Sequence, residues 1–137
     1  MGWWSESIMG GDSPLDSLGF IADEINVKFM YDETDDEKDF LLYNFSRKVI
    51  EKNLNKIIKY IEKRTYLQNI SYQVLGVLIL YYGVKVSKKI RDKIIDEALI
   101  DEWLVGNMNN EDRKLAIYEL RDALLNHKAG IRTELKK

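Results

Sequence analysis

Residues 70–82 read Ile-Ser-Tyr-Gln-Val-Leu-Gly-Val-Leu-Ile-Leu-Tyr-Tyr, a stretch with almost no polar face at any angle. A helix that is apolar all round has to be covered on every side. The apolar run 74–82 is far short of the ~20 residues that cross a bilayer, so the cover must come from protein. Its β-branched residues would also suit a strand, but Gly83 and the helical patterns on both sides favour a helix. This constraint predicts the architecture. A chain of 137 residues, 45% hydrophobic and 32% charged, holds enough apolar material for a core without staples. The expected fold is all-α: one domain over 1–137, with five or six helices around the 70–82 helix. An N-terminal segment, 1–13, precedes the bundle, and a tail, 131–137, frays after it.

The other helices follow from start and stop signals. Ser13-Pro14 reads as an N-cap followed by proline at the first helical position, where a missing N–H costs nothing. Leu15, Leu18, Ala22 and Ile25 recur at helical spacing, which predicts a helix over 14–28. Thr34 and Glu37 make a capping box, and no proline or glycine interrupts 35–64. That span is one long helix or two joined near Asn44–Ser46. Asn69 or Ser71 opens the apolar helix. Ser87 caps the next, with Ile90, Ile94, Ile95, Ala98, Leu99 and Trp103 on its face and Gly106 as its stop. Asn109 caps the last, and Gly130 ends it. The one strand signal is 26–31, where Val27, Phe29 and Tyr31 alternate with Asn26, Lys28 and Met30.

Composition removes whole classes of function. Cysteine is absent and His127 is the single histidine. Disulfide scaffolds, thiol nucleophiles, thiolate zinc sites and two-histidine relays are therefore excluded. The N-terminus has neither a basic region followed by a long apolar stretch nor a myristoylation signal, so a soluble, cytoplasmic protein without membrane contact is expected.

Charge is segregated along the chain. The first 39 residues hold eleven acids and two lysines, whereas 40–137 hold nineteen bases and twelve acids. The acidic run 32–39 fails as an EF-hand loop, with Glu37 at the sixth position and Tyr43 at the twelfth. It reads as an acid-rich helix start and loop, or as a surface that docks on a basic partner. Lys48, Lys52, Lys56, Lys59 and Lys63 share one helical face opposite Ile50, Leu54, Ile57 and Ile61. That pattern is the wet side of an amphipathic helix. At pI ≈ 5.5, with no nucleic-acid-binding motif, nucleic acid is not the expected partner. Gly10-Gly11-Asp12-Ser13 lacks the Lys-Ser/Thr of a phosphate loop, and Asp12 would repel phosphate, so it reads as a turn. His127 suits a helix C-terminus, where a cation meets the negative end of the dipole. No nucleophile elbow or zinc-protease frame occurs, and no catalytic residue, metal ligand or cofactor is assigned.

Trp3 and Trp4 demand an explanation, because two large apolar rings so near a terminus must pack somewhere. They either dock into the core or form a contact surface, since Trp and Met are enriched where proteins bind. The candidate partner-binding residues are therefore Trp3, Trp4 and Met9, together with Asp32, Glu33, Asp35 and Asp36 of the acidic run.

The opening Met1-Gly2-Trp3-Trp4, followed by Gly11-Asp12 and by Leu15-Asp16 with Leu18, resembles small bacterial and phage proteins grouped as domain of unknown function 4259. Those start Met-Gly-x-Trp and pass through an Asp-rich turn into a helix with a Leu/Ala-Asp pair. On that pattern Trp4 matches the signature tryptophan and Asp12 and Asp16 the acids, while Ser5 replaces the usual glycine. The resemblance implies a small, mostly helical fold and no established activity. The Lys-, Ile- and Asn-rich style also resembles proteins of AT-rich genomes such as those of many phages. The resulting expectation is a non-enzymatic protein-binding module, a phage-encoded inhibitor or modulator of a host defence protein, with self-association left open. Two alternatives stand beside it. One is a metal-dependent hydrolase using Asp12, Asp16 and the acidic run; the other is a nucleic-acid-binding protein using the lysine face.

Overall fold

The computed structural model describes residues 12–27, 45–64, 68–99 and 111–133. They form five helices: α1 Asp12–Glu24, α2 Arg47–Lys63, α3 Gln68–Tyr82, α4 Lys88–Leu99 and α5 Glu111–Leu125. The fold is an all-α helical bundle, with no strand among the described residues. In α3 every residue from Ser71 to Tyr81 is buried. It packs against all four other helices, while α4 also meets α5 and α1 meets α2. One core cluster joins Leu18, Ile21 and Ala22 of α1 to Ile50, Ile57 and Ile61 of α2, Ile94 of α4, and Ile117, Leu120 and Leu124 of α5.

Three polar contacts tie neighbours to the central helix. The Ser17 and Ser71 hydroxyls lie 2.6 Å apart in the α1–α3 contact, fully inside. Gln73 Nε2 donates to the Ala98 carbonyl at 3.1 Å, in the last turn of α4. Gln68 Nε2 donates to Ile61 O at 3.1 Å, a carbonyl that also accepts from Arg64 N, and so ties the start of α3 to the end of α2. At Gly76 side chains of α5 reach the backbone of α3. A Cβ there would sit 3.2 Å from Leu120 Cδ1 and 3.3 Å from Leu124 Cδ1, so glycine lets α5 lie against α3.

Several boundaries differ from the sequence expectation for local reasons. α1 closes at Glu24, not near 28. Asn26 adopts φ 58°, Asn26 N donates to Asp23 O at 3.2 Å, and Val27 N donates to Ala22 O at 2.8 Å. This is a Schellman stop, with asparagine tolerating the left-handed position. Asn26 and Val27 thus close a helix rather than start a strand, and 28–31 lie outside the described residues. The single-helix option for 35–64 is excluded. Ser46 is extended, with φ −151° and ψ 162°, and its Oγ accepts from Val49 N at 3.2 Å as the N-cap of α2. Buried Phe45 and Ile50 occupy the two positions of a hydrophobic staple around that cap. The capping box at Thr34 lies outside the described residues, as do Trp103, Gly106 and Asn109. Ser87 does cap α4, accepting from Ile90 N at 3.2 Å.

The expectation for the C-terminal end needs the largest correction. α5 ends at Leu125, five residues before Gly130, as Asn126 bonds back to Asp122 O through both its backbone N and its Nδ2. Gly130, at φ 84°, instead serves a tight turn closed by Ile131 N donating to Lys128 O. The chain then runs back onto α3. Gly130 N donates to Gly83 O at 2.8 Å, and Thr133 N donates to Leu80 O at 2.8 Å. The Arg132 guanidinium lies 4.2 Å from the Tyr81 ring centroid. The first three residues of the tail expected to fray are therefore held; 134–137 lie outside the described residues.

Gly83 sits at the centre of this clasp. At φ 65° it closes α3, with Val84 N donating to Ile79 O, and a Cβ would fall 3.0 Å from Gly130 C. Gly83→Ala therefore meets both a left-handed backbone penalty of ~1–2 kcal/mol and backbone that cannot easily move aside. We expect urea denaturation to show a loss of about 2 kcal/mol or more, whereas Gly76→Ala, facing only side-chain methyls of Leu120, Leu124 and Ile94, should lose less. Leu78→Asp should leave no folded protein, because an unpaired carboxylate in the core costs an amount comparable with total stability. A cooperative wild-type melt for Leu78→Asp would show that α3 is not central.

Candidate binding surface

The residues singled out from the sequence, Trp3, Trp4, Met9, Asp32, Glu33, Asp35 and Asp36, all lie outside the described residues. Asp12 and Asp16 fall four residues apart, Asp12 as the first residue of α1 and Asp16 one turn later. Among the described residues no group of three or more His, Asp or Glu side chains could hold a metal ion. No described helix is long and apolar enough to cross a membrane.

The best-defined surface feature is the outer side of α2. A rotation of ~100° per residue places Lys48, Lys52, Lys56, Lys59 and Lys63 within an arc of about 80°. All five are exposed. Ile50, Leu54, Ile57, Ile58 and Ile61 are buried on the opposite side, which is why the lysines point outward. Glu51 and Glu62 fall about 40° or more outside the lysine arc, and Asn55 is the exposed residue at its edge. From Lys48 to Lys63 the row is ~22 Å long, with one charge in almost every turn.

Other cations nearby are engaged. Arg47 Nε donates to Glu51 Oε2 at 2.6 Å, and the same oxygen accepts from Lys85 N at 3.0 Å, joining α2 to the α3–α4 link. Arg64 lies 4.2 Å from the Phe20 ring centroid and donates to the Tyr60 hydroxyl at 2.9 Å, joining α2 to α1. Lys93 Nζ lies 3.8 Å from Glu62 Oε1 and faces the Tyr72 ring. The five lysines of the row make no ion pair among the described residues. Among the described residues the arginines at the two ends of α2 thus have structural partners, and the lysines between them form no ion pair.

His127 is also structural. Its Nε2 donates to Val84 O at 2.8 Å, just beyond the stop of α3, while Nδ1 is buried without a partner. The ring is thus a second fastener beside the Gly83–Gly130 clasp. Its placement across the fold, 43 residues away in sequence, was not legible from its position near a helix end. On the outer side of α5, Leu115 and Leu125 are 63% and 48% exposed. Comparison of the chain with family models, with curated proteins and with solved structures finds no match.

The Lys85 N–H, first, and the Arg47 guanidinium, second, hold the Glu51 carboxyl below the usual carboxylate range. A depressed folded value gives stability that is present above the ordinary value, near 4.5, and disappears as pH falls through the folded one. The melting temperature should therefore drop less for Glu51→Gln than for wild type between about pH 6 and pH 3. The difference should be small, because the pair is solvent-exposed. Identical slopes would show that Glu51 does not contribute.

Proposed function

We propose that the protein is a non-enzymatic binding module whose partner is another protein, engaged through the N-terminal Trp3–Trp4–Met9 segment and the acids Asp32, Glu33, Asp35 and Asp36. The observation that carries the non-enzymatic part is the use made of the buried polar side chains. Ser17 and Ser71 bond to each other, and Gln73 bonds to the Ala98 carbonyl. Among the described residues these three buried polar side chains join helices to one another. The protein-binding part rests on the sequence, where paired tryptophans precede a strongly acidic stretch. The resemblance to phage proteins of domain of unknown function 4259 makes a host protein, such as a component of a defence system, the partner we favour.

The test is a pair of single variants, Trp3→Ala and Trp4→Ala, each assayed for melting temperature and for the partner that wild type captures from a bacterial lysate. We expect Trp4→Ala to lose ~3–5 kcal/mol of stability, as an inward ring would. Trp3→Ala should keep its melting temperature and bind the partner more weakly by ~2 kcal/mol. Equal, large losses of stability in both variants would make the segment purely structural. A melting shift of several degrees with micromolar calcium, magnesium or zinc would instead favour the hydrolase alternative.

A further inference from the structure

We propose that the lysine row of α2 is a binding site for the phosphate backbone of double-stranded nucleic acid. The sequence pattern alone is accounted for by a solvated helix face. Three structural observations go further. Lys48, Lys52, Lys56, Lys59 and Lys63 are all exposed. They form no ion pair among the described residues, although Arg47, Arg64 and Lys93 around them are engaged. No acid of α2 falls within their arc, and Glu51 and Glu62 lie on its flank.

The composition of the face selects the occupant. Protein interfaces favour aromatic residues and arginine at their centres and are depleted in lysine, and this arc contains neither an aromatic ring nor an arginine. Single strands are gripped by stacking bases on aromatic rings. The aromatic residue on α2 is Tyr60, whose hydroxyl accepts from Arg64. Lysines alone, spaced a turn apart along ~22 Å, match a linear polyanion that presents one charge per ~1.7 Å of duplex axis. Such contacts position a protein on the duplex and read no sequence. The overall net charge of −2 does not oppose this, because at ~0.1 M salt the field of distant acids is screened beyond about 10 Å.

The experiment is fluorescence anisotropy of the full chain with a mixed-sequence duplex of about 25 base pairs, titrated between about 50 and 200 mM salt. Five lysine–phosphate contacts predict a slope of log K against log salt near −4.5, equivalent to an affinity loss of about 500-fold across that range. The variant K52Q/K56Q/K59Q alters only exposed side chains and relieves like-charge repulsion, so its helical signal should match wild type and its melting temperature should not fall. Its slope should fall to about −1.8, a loss of about 12-fold. K88Q/K89Q, exposed at the start of α4, should leave duplex binding within about twofold. No measurable duplex binding at the lowest salt, or equal binding by the triple variant, would overturn the proposal. So would tighter binding to the matching single strand, to polyglutamate or to phosphatidylserine-rich vesicles than to the duplex. Trp3 and Trp4 are unchanged in every variant, so this outcome is independent of the protein-binding reading.

Discussion

Burial of α3 on all sides is the condition under which the rest of the bundle exists. A surface helix has to hide one stripe, but α3 has no stripe to leave in water, from Ser71 through Tyr81. Four helices supply the cover, and each presents a narrow apolar face to it. Their own amphipathicity is then the necessary complement. α2, for example, turns Ile50, Leu54, Ile57 and Ile61 inward and its lysines outward. Directional contacts then select among the ways of packing around such a cylinder. The Ser17–Ser71 and Gln73–Ala98 bonds fix where α1 and α4 sit along α3, and Gly76 fixes where α5 can come closest.

The end of α3 is where this arrangement is locked. Gly83 reverses the chain, its carbonyl accepts from Gly130, and His127 reaches Val84 O from the other side of the same turn. Two residues in left-handed conformation, both glycine, let two backbones meet where side chains would intervene. Arg132 over Tyr81 and Thr133 N on Leu80 O carry the contact one step further along α3. α5 is thereby joined to α3 both along its length and through the chain that follows it. Tyr82 lies at this end, with its hydroxyl pushed up to about 12 by burial first and by the neighbouring Tyr81 next.

What was legible in the sequence was whatever repeats within a few residues. The all-round apolar pattern of 70–82, the cap at Ser87 and the inward face of α2 are local periodicities or local hydrogen bonds, and each predicts its own structure. The misplaced boundaries have a different origin. Asn26 reads as part of an alternating pattern because an αL asparagine looks like any other until its backbone closes on Asp23 and that of Val27 on Ala22. Gly130 reads as a helix stop because glycine serves equally there and in a turn, and its actual place is set by Gly83, 47 residues earlier, with which it bonds. His127 belongs to the same class. The lysine row is visible as a pattern, but that Arg47 and Arg64 have partners while the row makes no ion pair among the described residues depends on where Glu51, Phe20 and Tyr60 fall in space.

That division of labour between arginine and lysine is the last consequence of the packing. Arginine's planar, forked head can stack on a ring and bond a carboxylate or hydroxyl at once, so it repays being held at a junction between helices. Arg64 does so between α1 and α2, and Arg47 does so through Glu51 to the α3–α4 link. Lysine is a hydrated point charge on a mobile stem and gains little from being fixed. A helix that needed only solubility on its outer side could mix signs, and pairing Glu with Lys one turn apart would even stabilise it. α2 keeps its acids at the flank, one engaged with Arg47 and Lys85 and the other with Lys93. The outer arc therefore retains a single sign of charge along ~22 Å and bears mutual repulsion between successive turns. Folding gains nothing from that arrangement. A negatively charged partner laid along the helix would remove the repulsion and add attraction at every turn.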